Sequence, residues 1–148
     1  MAAYATRIDM AERYGESEMK GLEAGKIATT VAAALADASA EADSYLAARY
    51  VLPLPDGKAY PSLRWAVCDM ARYRLWEAKP KDEEDTVAVR YRRAVSWLQE
   101  VAAGDAALLD AGGEEPPAAG RGCSAVVLSG RRKVFTNRVL RGMDYGRD

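Results

Sequence analysis

Three groups of residues in this chain have side chains suited to chemistry: a run of four carboxylates, two cysteines and a basic patch. The carboxylates occupy residues 82–85 and carry the hard oxygen ligands that divalent cations prefer. Consecutive side chains fan out around a helix start, so compensation of the helix dipole explains this run better than a metal site does. Cys68 and Cys123 lack the paired spacing of a zinc site. We therefore expect no metal and no other cofactor.

Histidine is absent from the chain. Its absence removes the commonest general base and every serine–histidine or cysteine–histidine nucleophile. The glycine-rich stretch 111–122 has no predicted strand before it and no predicted helix after it, so it does not match a nucleotide-binding loop. The sequence therefore predicts a protein that is not an enzyme.

The best candidate for a functional surface is the basic patch, in which arginines and apolar side chains are interleaved. Residues 121–148 hold seven basic and two acidic residues, a net +5, so the rest of this chain of net charge −1 carries −6. Such a split suits an arm that docks on an acidic surface of another subunit, although a solvated tail is the competing interpretation. The predicted partner-binding residues are Arg131, Arg132, Lys133, Phe135, Arg138, Leu140 and Arg141.

Hydrophobic periodicity predicts an all-α, four-helix body that positions this arm. Thr6 and Asp9 predict the N-cap of a first helix, which Gly15 ends, and a short turn is expected at residues 17–22. The remaining predicted helices are an alanine-rich one over residues 28–49, one from Pro61 to Pro80, and one from residues 82–85 to Gly104.

Composition divides the chain into a helical domain over residues 1–110, a Gly/Pro-rich linker over 111–122 and a basic arm over 123–148. Within the arm, apolar runs flank Ser129-Gly-Arg131, which predicts an extended or β-hairpin structure. No stretch has the apolar core of a signal peptide or the length of a membrane span. We expect a cytoplasmic protein, or a component of a particle assembled in the cytoplasm.

The third and fourth predicted helices alternate aromatic residues with arginines. Tyrosine, tryptophan and arginine anchor protein interfaces, and they also stack on nucleic-acid bases. Helical spacing favours packing in the core or at an interface for Tyr73, Trp76, Tyr91 and Trp97. Elsewhere, Glu41 and Asp43 are expected to form ordinary salt bridges with Arg49 or Arg72.

Several motifs, taken in order, resemble the small helical neck proteins of Mu-like phages and prophages. They are Tyr4-Ala-Thr6, Arg13-Tyr-Gly-Glu16, the stretch 34–54 with Arg49-Tyr-Val-Leu-Pro-Leu54, Asp69-Met-Ala-Arg-Tyr-Arg-Leu75, the helix of Tyr91 and Trp97, Val134-Phe-Thr136 and Leu140-Arg-Gly142. The resemblance implies an all-α, connector-like adaptor that joins head to tail as a ring, often twelve-fold, beneath the portal. It brings no catalytic residues.

Two functions of different classes follow from these features. The first is a virion structural protein, a head–tail connector in the neck, whose partners are copies of itself, the portal protein and a tail-side stopper or tail terminator protein. In that role DNA only passes through the channel, and no membrane is involved. The alternative is a small nucleic-acid-binding regulator that uses the basic arm, which the acidic body disfavours because it repels phosphate.

Overall fold

The computed structural model describes residues 3–27, 29–76 and 86–120. Within these ranges the chain forms five α-helices and no β-strand. The helices are α1 (Arg7–Tyr14), α2 (Glu16–Glu23), α3 (Thr30–Leu46), α4 (Pro61–Leu75) and α5 (Thr86–Ala103). The predicted all-α body is confirmed. The described residues hold five helices where four were predicted, because residues 16–23, expected to contain only a short turn, complete two turns of helix.

The start of α1 has the predicted cap. The Thr6 N–H donates to Asp9 Oδ2 at 2.7 Å, and the Asp9 N–H donates to Thr6 Oγ1 at 3.3 Å, which together form a capping box. Gly15 then separates α1 from α2 with a φ of +89°, a conformation that residues other than glycine rarely adopt. The sharp turn lets both short helices pack on α4.

Helices α3, α4 and α5 contact one another and enclose the main core. Helix α4 lies at its centre, and residues 66–72 are all buried. Cys68 is a buried, apolar-like core residue, as predicted, and burial raises the pKa of its thiol to about 12. The buried face of α3 is rich in alanine, which allows its neighbours to approach closely.

The helix ends differ in part from the prediction. Helix α3 ends at Leu46 instead of Arg49, because Arg49 and Tyr50 turn to meet the later part of the chain. Pro61 is the first residue of α4, and Gly104, with a φ of +94°, ends α5, both as predicted. Helix α4 ends at Leu75, with Trp76 as its C-cap, so the predicted end at Pro80 is wrong. The carboxylates at 82–85 lie outside the described residues.

Residues 105–120 return along the body after α5. Most of the predicted linker therefore has defined contacts: the Val51 N–H donates to the Pro117 carbonyl at 3.0 Å, and the Ala119 N–H donates to the Arg49 carbonyl at 2.8 Å. Pro116 is buried. The three-part division of the chain stays a prediction, because the arm lies outside the described residues.

Candidate functional site

The seven predicted partner-binding residues, from Arg131 to Arg141, lie outside the part of the chain that the structure describes, and so does the predicted β-hairpin arm. Their role stays a prediction. The structure describes the chain up to Gly120, the residue that precedes the predicted basic stretch. Gly120 follows the hydrogen bond between Ala119 and Arg49, so it lies beside the end of α3.

That exit point is held by a group of hydrogen bonds around Tyr50. The buried Tyr50 hydroxyl donates to Glu115 Oε1 at 2.6 Å and accepts from the Leu108 N–H at 3.1 Å. Arg49 donates to the same Glu115 oxygen at 2.7 Å and to the Ala106 carbonyl at 2.7 Å. These contacts join the end of α3 to both halves of the returning segment.

A second tie lies nearer the loop before α4. Lys58 Nζ is 2.9 Å from Asp110 Oδ2 and 2.6 Å from Glu114 Oε2. The hydrogen bond from Lys58, helped by the Glu114 and Gly112 N–H groups, lowers the pKa of the Asp110 carboxyl. Asp110 thus stays ionised and organises the turn that follows it.

A groove of about 600 Å³ between α4 and α5 is the first candidate interaction surface. We call it the arginine–tryptophan groove, after Trp65, Trp97, Arg90 and Arg93 along its walls. Small residues, among them Ala66 and Ala94, leave the space between the two helices open. Tryptophan and arginine are the side chains that most often dominate binding energy at protein interfaces.

One end of the groove is held in shape by a buried polar cluster. Arg13 of α1 donates to Asp69 Oδ2 of α4 at 2.7 Å, and the Tyr14 hydroxyl donates to Asp69 Oδ1 at 2.5 Å. Burial and this carboxylate raise the pKa of Tyr14 above its usual range. The guanidinium groups of Arg13 and Arg64 lie 5.0 and 4.8 Å from the Trp65 ring centre, within the range of cation–π attraction.

Arg90 and Arg93 face the groove without a carboxylate partner among the described residues. Arg90 makes a cation–π contact with Tyr14 at 6.0 Å. Arg93 is exposed, and no salt bridge joins it to a described acidic group. By contrast, Lys58 and six of the other described arginines pair with carboxylates in nine salt-bridge contacts.

The outer face of α3 is the second candidate interaction surface. The exposed residues of this face, which we call the alanine face, are almost all small: Ala32, Ala33, Ala36, Asp37, Ala40, Ser44 and Ala47. Asp37 is the one charged residue among these seven, and it forms no salt bridge with a described basic group. The face is therefore flat, and its charge is concentrated at one point.

The salt bridges expected for Glu41 and Asp43 form with other partners. Glu41 pairs with Arg74 at 2.6 Å, and Asp43 accepts a hydrogen bond from the Tyr4 hydroxyl. Arg49 pairs with Glu115, and Arg72 with Glu18. The predicted pairs are wrong because the partner depends on how the helices are rotated against one another: Arg74 of α4, not Arg72, reaches Glu41, and Arg72 reaches α2 instead.

The packing interpretation of the aromatic residues is confirmed for the tyrosines of α4 and α5. Tyr73 and Tyr91 stack with ring centres 4.3 Å apart and an angle of 18° between their planes. Such a stacked pair adds to the contact between two helices. Trp97, by contrast, lines the groove and is only partly buried.

Two negative findings concern the described ranges alone. No three cysteine or carboxylate side chains there lie close enough together to hold a metal ion. None of the described helices combines the length and apolarity needed to cross a membrane.

Comparison with known proteins identifies relatives of this chain. The family model described as Bacteriophage Mu, Gp36 matches residues 4–126. The chain is also 38% identical over 105 residues to "Gene product J" of Escherichia phage Mu, a match covering 66% of this chain and 70% of that protein. The resemblance to a Mu-like phage protein is thereby confirmed. Since the family model spans most of the sequence and all five helices, the chain belongs to the Bacteriophage Mu Gp36 family.

Proposed function

We propose that this protein is a virion structural protein, a head–tail connector that forms a ring between the portal and the tail-side proteins of the neck. The observation that carries the proposal is membership of a phage Mu family, which favours a structural or morphogenetic role in the virion. The resemblance of its ordered motifs to small helical neck proteins supports the narrower role. In this proposal DNA only passes through the channel of the ring.

The charge distribution supports a docking role for residues 121–148. They carry a net +5 beside a body of −6, and basic and acidic surfaces on one chain complement each other between subunits. The hydrogen bonds that hold residues 105–119 against α3 give this arm a defined starting point. In the proposal the arm reaches the portal, a neighbouring copy or a tail-side protein.

A deletion of residues 121–148 tests this role. Purified heads carrying the portal, purified tails and the protein are mixed, and joined particles are counted by electron microscopy. We expect the full chain to join heads to tails and the truncated chain to fail while keeping its helical circular dichroism signal. A matched variant with Arg131, Arg132 and Lys133 all changed to alanine should reduce joining if charge pairing drives docking. Normal joining by the truncated chain would contradict the proposal for the arm.

The alternative function, nucleic-acid regulation, predicts a different result with the same variants. Binding that neutralises DNA phosphates weakens steeply as salt rises. A filter-binding titration with duplex DNA at low salt distinguishes the two. Tight, salt-sensitive binding that is lost with residues 121–148 favours the regulator, whereas the connector proposal expects no such affinity.

A further inference from the structure

We propose that the alanine face of α3 in one copy docks in the arginine–tryptophan groove between α4 and α5 of the next copy. The inference rests on the proposed ring and identifies the surfaces through which neighbouring copies meet. Its occupant is a second copy of this chain. The contact would place Asp37 of one copy against Arg93, with Arg90 beside it, in its neighbour.

Charge complementarity is the first argument. Most charged groups of the described body are already paired within the chain, as the salt bridge of Arg74 with Glu41 illustrates. Arg93 on the groove and Asp37 on the alanine face are exposed, and neither has an ion-pair partner among the described residues. They differ from the other exposed charges without such a partner, for example Lys20, in that each lies on one of the two candidate interaction surfaces. In the assembly, Asp37 of one copy and Arg93 of the next would each gain an oppositely charged partner in place of water.

Shape is the second argument. Large side chains, Trp65 and Trp97, border the groove, whereas the alanine face offers only small ones. A helix with small side chains lets a partner approach its backbone closely, so the tryptophan rings can lie flat against it. The combination would bury apolar area from both surfaces and place Asp37 against the two arginines of the groove.

The placement of the two surfaces is the third argument. The buried stripe of α5 consists of Val87, Ala94, Leu98 and Val101. Tyr91, whose hydroxyl donates to Glu41 of α3, lies on one flank of this stripe. Arg93 and Trp97 lie on the other flank, since successive helical residues are rotated by about 100°. The groove and α3 are therefore on different sides of the α4–α5 pair.

This placement selects a head-to-tail contact. The alanine face points away from α4 and α5, because the opposite face of α3 packs on both helices. A two-fold contact of groove with groove would bring arginines together, and a two-fold contact of alanine face with alanine face would bring Asp37 against its own copy. A contact between the two different surfaces avoids both repulsions and can repeat around a closed ring.

Charge reversal tests the pairing directly. Arg93→Glu and Asp37→Arg are made in the full chain, and the assembly state is measured by native mass spectrometry over a range of protein concentrations. We expect either variant alone to weaken self-association at least about tenfold, because like charges then meet at the contact. The matched controls are Lys20→Glu on α2 and Glu12→Arg on α1, exposed charges that neither line the groove nor belong to α3, which should assemble as the unchanged protein does.

Mixing the two variants gives the decisive result. In an alternating assembly, the arginine introduced at position 37 of one variant meets the glutamate introduced at position 93 of the other, while the unchanged Asp37 and Arg93 meet at the next contact. An equimolar mixture should therefore regain assembly that neither variant has alone. Circular dichroism of each variant checks that the helices are intact. Loss of assembly without rescue on mixing contradicts this pairing, as does unchanged assembly of Arg93→Glu.

Cysteine cross-linking provides an independent readout that detects weak association. In a Cys123→Ser background, a copy with Ala40→Cys is mixed with a copy carrying Ser62→Cys, the first on the alanine face and the second in the groove. We expect a disulfide-linked dimer, and none from Ala40→Cys with Lys20→Cys. Rings that assemble and join particles without this cross-link would overturn the α3–groove contact but leave the connector function standing. Failure of the full chain to join heads to tails would instead count against the connector function itself.

Discussion

Two buried charged side chains on α4 tie the short helices to the rest of the body. Asp69 binds Arg13 and Tyr14 of α1, and Arg72 pairs with Glu18 of α2. Both lie among core residues of the central helix, although a buried charge is costly unless it is paired. These pairs therefore hold α1 and α2 in position against α4. Because Arg13 of α1 lines the arginine–tryptophan groove, they also help to form one end of it.

Removing the Asp69 carboxylate should destabilise the protein and loosen α1. For Asp69→Ala we expect a loss of about 2–3 kcal/mol in the free energy of unfolding, because Arg13 and the Tyr14 hydroxyl lose a charged partner. Urea unfolding followed by circular dichroism measures it. Glu12→Ala, at an exposed position of the same helix, should change stability by less than about 0.5 kcal/mol. A similarly small effect of Asp69→Ala would show that the cluster does not hold α1.

At the scale of elements, the segment 105–120 packs back against the end of α3 and the loop before α4. The segment has no regular secondary structure apart from a bridge between Tyr50 and Ala118. It is held by the side chains of Tyr50 and Lys58, by a few backbone hydrogen bonds such as Ala119 to Arg49, and by the buried Leu108. The position of this segment therefore depends on a small number of named contacts.

Tyr50→Phe should open this segment while leaving the helices in place. The change removes the hydrogen bond to Glu115 and leaves the buried Leu108 N–H without its acceptor, which costs about 1–3 kcal/mol. Hydrogen exchange measured by mass spectrometry should become faster in residues 105–119, with little change in α3 and α4. Tyr45→Phe is the matched control, since no hydrogen bond of the Tyr45 hydroxyl is formed among the described residues. Uniformly faster exchange across all helices would contradict this local role.

Local signals in the sequence predicted the helix ends better than the partners of the side chains. Thr6 with Asp9, Pro61 and Gly104 each act through their immediate neighbours, so their roles could be predicted. The partner of Tyr50 is 65 residues away, and nothing in a hydrophobic pattern indicates it. The groove escaped prediction for the same reason, since it forms only when α1, α4 and α5 meet.

At the scale of the whole molecule, one core joins α3, α4 and α5, with Cys68 inside it. Burial raises the pKa of this thiol to about 12, so it remains protonated at neutral pH. A protonated, inaccessible thiol is a poor nucleophile. A thiol reagent can therefore reach Cys68 only when the packing of the other helices around α4 opens.

Labelling of Cys68 should report opening of the whole core. In Cys123→Ser protein we expect a thiol reagent at pH 7 to react with the native state far more slowly than with the urea-unfolded chain, by a factor of at least about a hundred. The labelling rate should rise with urea in parallel with the loss of helical signal. Fast labelling of the native protein would mean that α4 opens by local motion. A variant with Cys123 retained and Cys68→Ala gives the comparison rate for the other thiol.

The hydrogen bond between Ala119 and Arg49 sets the reach of the residues that follow in the proposed ring. Residues 121–148 number 28, and a chain of that length spans at most about 90–100 Å when fully extended. A globular body of about 120 residues is only some 35 Å across. Starting from Gly120, a chain of this length could pass an adjacent copy in the proposed ring and reach the copy beyond it, so the proposed docking partner need not be the nearest neighbour.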